Sequence, residues 1–308
     1  MKALRKIFYK IILMFVRNKH KRKNYYKCFV GVGIRKYFEL AKSSAIEKTE
    51  NRQFKYNVSI LCIIKNEGPY LKEWIEYHKL IGIEHFYVYD NESNDDTNDI
   101  LKPYIESGLV TYVLFPGKDA QEHAYFDAVT KFKNETKWLT AIDLDEFIVL
   151  HEKKNISDFM EDYADCSQVS LRWMIYGSSG HEKEPKGLVI ENFKSHAKEP
   201  TFSPKSIFNP RTVVWCGAHY MWLCGKWVDE NGVDFGATKE LSVNKAQINH
   251  YVIKSWEEFY RRKAARGCVD NKSFGEDLRK YFNIFDINDV TDDLMKPYAE
   301  KLKEIIKK

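Results

Sequence analysis

From residue 57 the apolar positions fall into a regular rhythm. NVSILCII (57–64) is a continuous, β-branched run, the pattern of a buried strand. GPYLKEWIEYHKLIG follows, with Leu71, Trp74, Ile75, His78 and Ile81 at helical spacing behind Pro69. The alternation continues through strand HFYVYD, helix DDTNDILKPYIESG, strand LVTYVLF, helix AQEHAYFDAVTKFKN and strand KWLTAIDL. Four strands separated by three helices predict an α/β fold, with a mostly parallel sheet, right-handed crossovers and helices on both faces. Ligands in such sheets bind beyond the carboxyl ends of the strands.

Beyond residue 165 the rhythm loosens. QVSLRWMIYG and RTVVWCGAHYMWL read as strands, SSGHEKEPKG as a loop and SWEEFYRRKAARG as a helix with a basic end. The charged tail from Asp286 predicts one last helix capped by Thr291. No repeat or low-complexity linker divides the chain. The expected organisation is a catalytic domain over 55–270, a basic helical arm over 1–54 and a helical extension over 271–308.

Acidic residues interrupt this pattern where the strands end. KNEG closes the first strand, DNESNDD the second and DLDE the fourth, so the clusters share one rim. Buried carboxylates are costly unless something pairs with them. Asp143 and Asp145 are two apart on an extended segment and can present oxygens to one ion. Hard oxygen ligands with open positions suit Mn²⁺ or Mg²⁺, which take their other ligands from substrate phosphates. A solvated turn is the ordinary alternative. Glu67 and Asp90 on the same rim suit hydrogen bonds from a ribose hydroxyl or a base N–H, with helix capping as their alternative.

The 308 residues are 44% hydrophobic, enough for one large core or two modest ones, and 19 Phe, 19 Tyr and 7 Trp argue against disorder. The net charge of +5 conceals an asymmetry. Residues 1–27 carry ten Lys or Arg and no acid, which leaves 39 bases against 44 acids, a body near −5. That body is not a nucleic-acid-binding surface. In the basic end the apolar run from Ile7 to Val16 is shorter than the roughly 20 residues that span a bilayer, and no small-residue cleavage site follows it. On a helix, Leu4, Ile7, Phe8, Ile11, Ile12 and Phe15 share a face flanked by bases. Such a helix either lies on an anionic membrane surface or docks on its own domain. The cysteines at 28, 62, 166, 216, 224 and 268 show no CxxC pairing, so neither a structural zinc site nor a disulfide framework is expected, and a reducing compartment is the simpler reading.

The stretches VSILCIIKNEGPYLKEWIEYHKLIGIEHFYVYDNESND, WLTAIDLDEF, YGSSGH, KSIFNPRTV and NHYVIKSWEEFYRRKAARG, spanning about residues 57–268, resemble the family 92 glycosyltransferases of the GT-A fold. The resemblance implies a metal-dependent, inverting transfer of a sugar from a nucleotide-sugar, a UDP-sugar by expectation, to a glycan or glycolipid acceptor. It maps the metal-binding Asp-x-Asp onto Asp143 and Asp145 and a completing ligand onto His250. Lys254, Lys263 and Arg266 lie in a segment suited to the diphosphate. Glu191 is the favoured catalytic base, with Glu182, Glu184, His181 and His219 as alternatives. Gly177 and Gly180 would let backbone approach the donor sugar, or simply make a tight turn. With the composition, the family analogy points to a bacterial enzyme of surface polysaccharide or lipopolysaccharide synthesis, cytoplasmic and at the inner face of the membrane.

Three rivals fit less well. A haloacid-dehalogenase phosphatase carries its Asp-x-Asp on the first sheet strand, whereas here three β-α units come first. GVGIRK (31–36) lacks the third glycine and the strand-helix context of a dinucleotide site. A membrane-tethered scaffold leaves the acidic rim without a purpose.

Overall fold

The computed structural model describes residues 2–49, 52–237, 240–264 and 278–307. Three helices, α1 (Lys2–Ile12), α2 (Lys19–Val32) and α3 (Ile34–Thr49), form the arm. The predicted alternation follows: β1 (Tyr56–Ile64), α4 (Gly68–Leu80), β2 (His85–Asp90), α5 (Thr97–Glu106), β3 (Val110–Leu114), α6 (Ala120–Phe132) and β4 (Thr136–Ala141). After β5 (Glu146–Leu150) come α7 (Ile156–Glu161), β6 (Gln168–Ile175), α8 (Val189–Asn192), β7 (Ser195–His196) and β8 (Pro204–Phe208). The chain ends through β9 (Val213–Cys216), β10 (Met221–Leu223), β11 (Trp227–Asp229), β12 (Ala246–His250), α9 (Trp256–Glu258), α10 (Leu278–Phe285), β13 (Val290–Thr291) and α11 (Lys296–Ile306).

The central sheet runs β3-β2-β1-β4-β8-β6-β12-β5, with β11 beside β6. Strands β3, β2, β1 and β4 are mutually parallel, as are β6 and β12, while β8 and β5 run against their neighbours. Alternation along β1 sorts the core. Val58, Ile60, Cys62 and Ile64 pack with α4, whereas Leu61 faces the cluster under Ala124, Tyr125 and Ala128 of α6. Helices therefore cover both faces, as expected of a GT-A fold. Helix α4 begins with Pro69 in its first turn and is pinned over β5, where Trp74 Nε1 donates to the Glu146 carbonyl at 2.9 Å and the Tyr77 hydroxyl to the Ile148 carbonyl at 2.7 Å.

Several expectations are corrected. The segment KWLTAIDL is not strand to its end. β4 stops at Ala141 and the chain turns, because the Asp143 carbonyl accepts the Glu146 N–H at 3.0 Å while the Glu146 carboxylate accepts the Asp143 N–H at 3.0 Å. β5 then leaves antiparallel to β12. RTVVWCGAHYMWL is a hairpin, β9 with β10, preceded by a 3₁₀ turn at Pro210–Thr212. The helix expected over 255–267 is present as α9 continued by a π-helical stretch, Phe259–Ala264, and its residues 265–267 lie outside the described residues. Thr291 caps nothing. It lies in β13, its hydroxyl 2.8 Å from that of Ser195, and Met295 precedes α11.

The arm docks through Tyr9, Leu13, Cys28, Phe29 and Tyr37, which cluster with Cys224. Asn24 fixes it, since its side chain accepts the Leu223 N–H at 3.1 Å and donates to the Leu223 carbonyl at 2.8 Å. GVGIRK forms the α2–α3 junction, with Gly33 at φ 84°. Among the described residues no helix is long and apolar enough to cross a membrane.

Candidate active site

One rim of the sheet collects the chemistry. Parallel strands β1, β2, β4, β6 and β12 end there, and antiparallel β5 and β8 begin there, which brings Glu67, Asp90, Asp143, Asp145, Glu146, Lys205 and His250 to the same edge. The register sets His250 opposite Glu146. It is this strand geometry that joins residues far apart in sequence.

The three carboxylates of the DLDE turn have different fates. Glu146 is fully buried (0% exposed), and its Oε2 lies 3.4 Å from Lys205 Nζ. Burial pushes its carboxyl well above the usual range, against the pull of Lys205. Asp143 keeps a third of its side chain exposed. One of its oxygens receives Lys205 Nζ at 3.0 Å and the other the Gln121 side-chain amide at 3.1 Å. Lys205 is only 2% exposed and also donates to the Ala218 carbonyl at 3.1 Å. Burial alone would lower its pKa, but Asp143 and Glu146 overcome that and raise it. The ammonium is thus the internal counter-ion of the turn.

Asp145 points elsewhere. Its Oδ1 is 3.5 Å from His250 Nε2, and it lines a shallow, open cleft with Asn66, Glu67, Tyr70, Lys254, Glu258 and Arg262. Lys254 Nζ sits 4.1 Å over the Tyr70 ring and 3.9 Å from Glu258, to which the Tyr70 hydroxyl donates. Asn66 and Lys254 both adopt left-handed backbone, φ 54° and 57°. Non-glycine residues hold that conformation only where the surroundings fix it, and such positions concentrate at ligand sites.

A hard divalent cation fits this donor set. Asp145 offers carboxylate oxygen and His250 imidazole nitrogen beside an open cleft, and Mn²⁺ or Mg²⁺ draws its remaining ligands from phosphates and water. Among the described residues no group of three or more His, Cys, Asp or Glu is preassembled around a cation position.

Of the other expected site residues Glu67 lines the cleft, and the rest lie apart from it or have partners already. Asp90 is buried, with its oxygens taken by the Ser93 N–H at 2.9 Å and the Tyr112 hydroxyl at 2.7 Å. Glu67 precedes α4 without capping it through its side chain. Glu191 is not among the residues lining the cleft and instead pairs with Lys303 of α11. Glu182 pairs with Arg279, and Glu184 with Arg261 and Arg262. His181 packs on Phe193, while Trp173 lies 4.3 Å from His250 and 5.0 Å from His219, ring to ring. At Gly177 a Cβ would meet the Ile287 carbonyl and Asn288 at 2.5 Å, so its missing side chain admits the C-terminal segment. The Lys263 side chain and Arg266 lie outside the described residues. Sequence reasoning missed Lys205, Gln121, Tyr70, Glu258 and Arg262. Tyr70, Glu258, Arg262 and Lys205 lie in stretches that carry the resemblance, GPYLKEWIEYHKLIG, SWEEFYRRKAARG and KSIFNPRTV, but nothing in their spacing marks them as site residues.

The fold and its acidic rim place the chain in the GT-A class of α/β proteins. Glycosyltransferase family 92 matches residues 60–298, and the chain belongs to that family. A family 92 protein of Ricinus communis is 27% identical over 223 residues, covering 68% of this chain and 38% of its own length. A galactan β-1,4-galactosyltransferase of Arabidopsis thaliana is 28% identical over 201 residues, covering 59% of this chain and 39% of its own. The chain thus spans well under half the length of these relatives. Among solved structures, S. aureus TarS 1–349 with UDP aligns at TM-score 0.35 and 15% identity, over 50% of this chain and 47% of that one.

Proposed function

We propose that the protein transfers a sugar from a nucleoside-diphosphate donor, a UDP-sugar, to a hydroxyl of a glycan or glycolipid acceptor. The observation that carries this reading is the cleft on the rim of the sheet where Asp145, backed by His250 at 3.5 Å, meets Lys254 and Arg262. Asp145 and His250 would hold Mn²⁺ or Mg²⁺, which when bound neutralises the charge developing on the diphosphate leaving group. Lys254 and Arg262 draw the diphosphate into the cleft. Lys205 keeps the turn that carries Asp143 and Asp145 in place. The family supports glycosyl transfer, and the likeness to an Arabidopsis galactan galactosyltransferase favours a hexosyl donor. Inversion rests on the family resemblance. A bacterial surface polysaccharide as acceptor rests on composition and analogy, the relatives named above being plant proteins.

Calorimetric titration of UDP with and without Mn²⁺ tests the reading on wild type, Asp145→Asn and His250→Ala. Mn²⁺ should tighten UDP binding at least tenfold in the wild type, and both variants should lose that increment while keeping a native melting temperature. A wild type indifferent to Mn²⁺, or an Asp145→Asn variant that retains the increment, overturns the metal assignment.

A further inference from the structure

Helix α1 has two apolar faces. Tyr9 and Leu13 point inward to the arm's cluster, with Ile12 and Val16 half-buried beside them. On the opposite side Leu4, Ile7, Phe8, Ile11, Met14 and Phe15 stand exposed, Leu4 at 71% and Phe15 at 87%. Leu4, Ile7, Phe8 and Ile11 share one stripe of α1 by their spacing, and Met14 and Phe15 follow in the 3₁₀ turn Leu13–Phe15 that continues it. The docked and the membrane-facing readings of this segment are therefore compatible, since different residues carry each. Ile12, expected on the outer face, belongs to the boundary with the inner one.

We infer that this outer face of α1 is a docking surface for an anionic lipid bilayer. Charge complementarity selects that occupant. Lys6 and Lys10 line one flank of the stripe and Arg5 the other, Arg17 follows just beyond the turn, all four are exposed, and residues 1–27 contain no acid. A helix lying in the interface buries its apolar face among the acyl chains and sets its bases against anionic headgroups. The body, near −5, is repelled by the same surface, so the charge asymmetry orients the molecule arm-first. Docking through Tyr9 and Leu13 holds the helix preformed, which lowers the ordering cost of binding.

This surface is independent of the sugar chemistry, because vesicle binding is read without turnover. The full chain is sedimented with vesicles of 30% phosphatidylglycerol in phosphatidylcholine and with pure phosphatidylcholine vesicles, at low and high salt. Wild type should bind the anionic vesicles at least tenfold more tightly than the neutral ones, and salt should weaken that binding. Phe8→Ser/Phe15→Ser and, separately, Lys6→Glu/Arg17→Glu should each reduce it at least tenfold with unchanged circular dichroism and melting temperature. Equal binding to both vesicle types, or anionic binding untouched by either double variant, overturns the inference. So does light scattering that shows self-association abolished by Phe8→Ser/Phe15→Ser without any vesicle binding, for the stripe would then meet a second copy of the chain.

Discussion

Lys205 decides what the DLDE turn can be. A lone ammonium in this position answers Asp143 and Glu146 together, at 3.0 and 3.4 Å, and Glu146 has no exposure through which water could replace it. Removing one partner of a buried ion pair leaves an uncompensated charge, at a cost of roughly 3–5 kcal/mol. Lys205→Met should therefore destabilise the fold by about that amount in urea denaturation, and adding Glu146→Gln should restore part of the loss. A Lys205→Met variant as stable as the wild type would show that the cluster is already neutral. The turn's acids were legible in the sequence because carboxylates closing an apolar strand are conspicuous. Their cation was not. The lysine opening KSIFNPRTV carries no such signal, and only the antiparallel pairing of β8 between β4 and β6 turns it to the rim. Asp90 fails in the opposite sense, conspicuous in sequence yet engaged by Ser93 and Tyr112 in bracing its own loop.

Among the elements, β1 to β4 and the helices between them were readable because each buries its own periodic face. β5 was hidden inside one apolar run, since periodicity cannot register a turn made by hydrogen bonds between Asp143 and Glu146. The short α8 is a further case, built on a partner from another helix. Glu73 of α4 accepts the Val189 N–H at 2.8 Å and the Ile190 N–H at 3.0 Å, satisfying the start of α8. Burial raises its pKa to about 7, although these two N–H donors and Lys254 oppose the shift. A raised carboxyl pKa favours the folded state fully below the ordinary value and loses that contribution as pH rises through 7. The group should thus remove up to about 3 kcal/mol of stability between pH 4.5 and 7.5. Glu73→Gln cannot titrate, so urea denaturation of both proteins at pH 5 and 7.5 should show the wild type losing ground to the variant as pH rises. A stability difference constant across that range would mean that Glu73 ionises as an ordinary carboxyl in the fold.

At the scale of the whole molecule, sequence order and spatial order part company at both ends. The extension expected beyond residue 270 is part of the main core. Met295, Ala299 and Leu302 are buried in it, and the Tyr298 ring lies 5.2 Å from that of Tyr77 on α4. The arm instead packs in a separate cluster around Leu13, Phe29 and Tyr37, shared with Cys224 and Trp222 of the domain. Two leucine truncations should separate these roles, although each removes the same atoms. Leu302→Ala should cost about 2–5 kcal/mol and lower the main unfolding transition, because α11 packs on α4 beneath the sheet. Leu13→Ala should leave that transition nearly in place and release the arm, seen as faster proteolysis within residues 2–49. The arm's contacts to the domain, among them Asn24 with Leu223, Lys21 with Asp234, Asn18 with the Phe235 carbonyl and His20 against Trp227 and Phe235, fall outside the main core cluster that α11 completes. Calorimetry and limited proteolysis of both variants check the distinction, and an equal drop of one common transition would join arm and domain into a single cooperative unit.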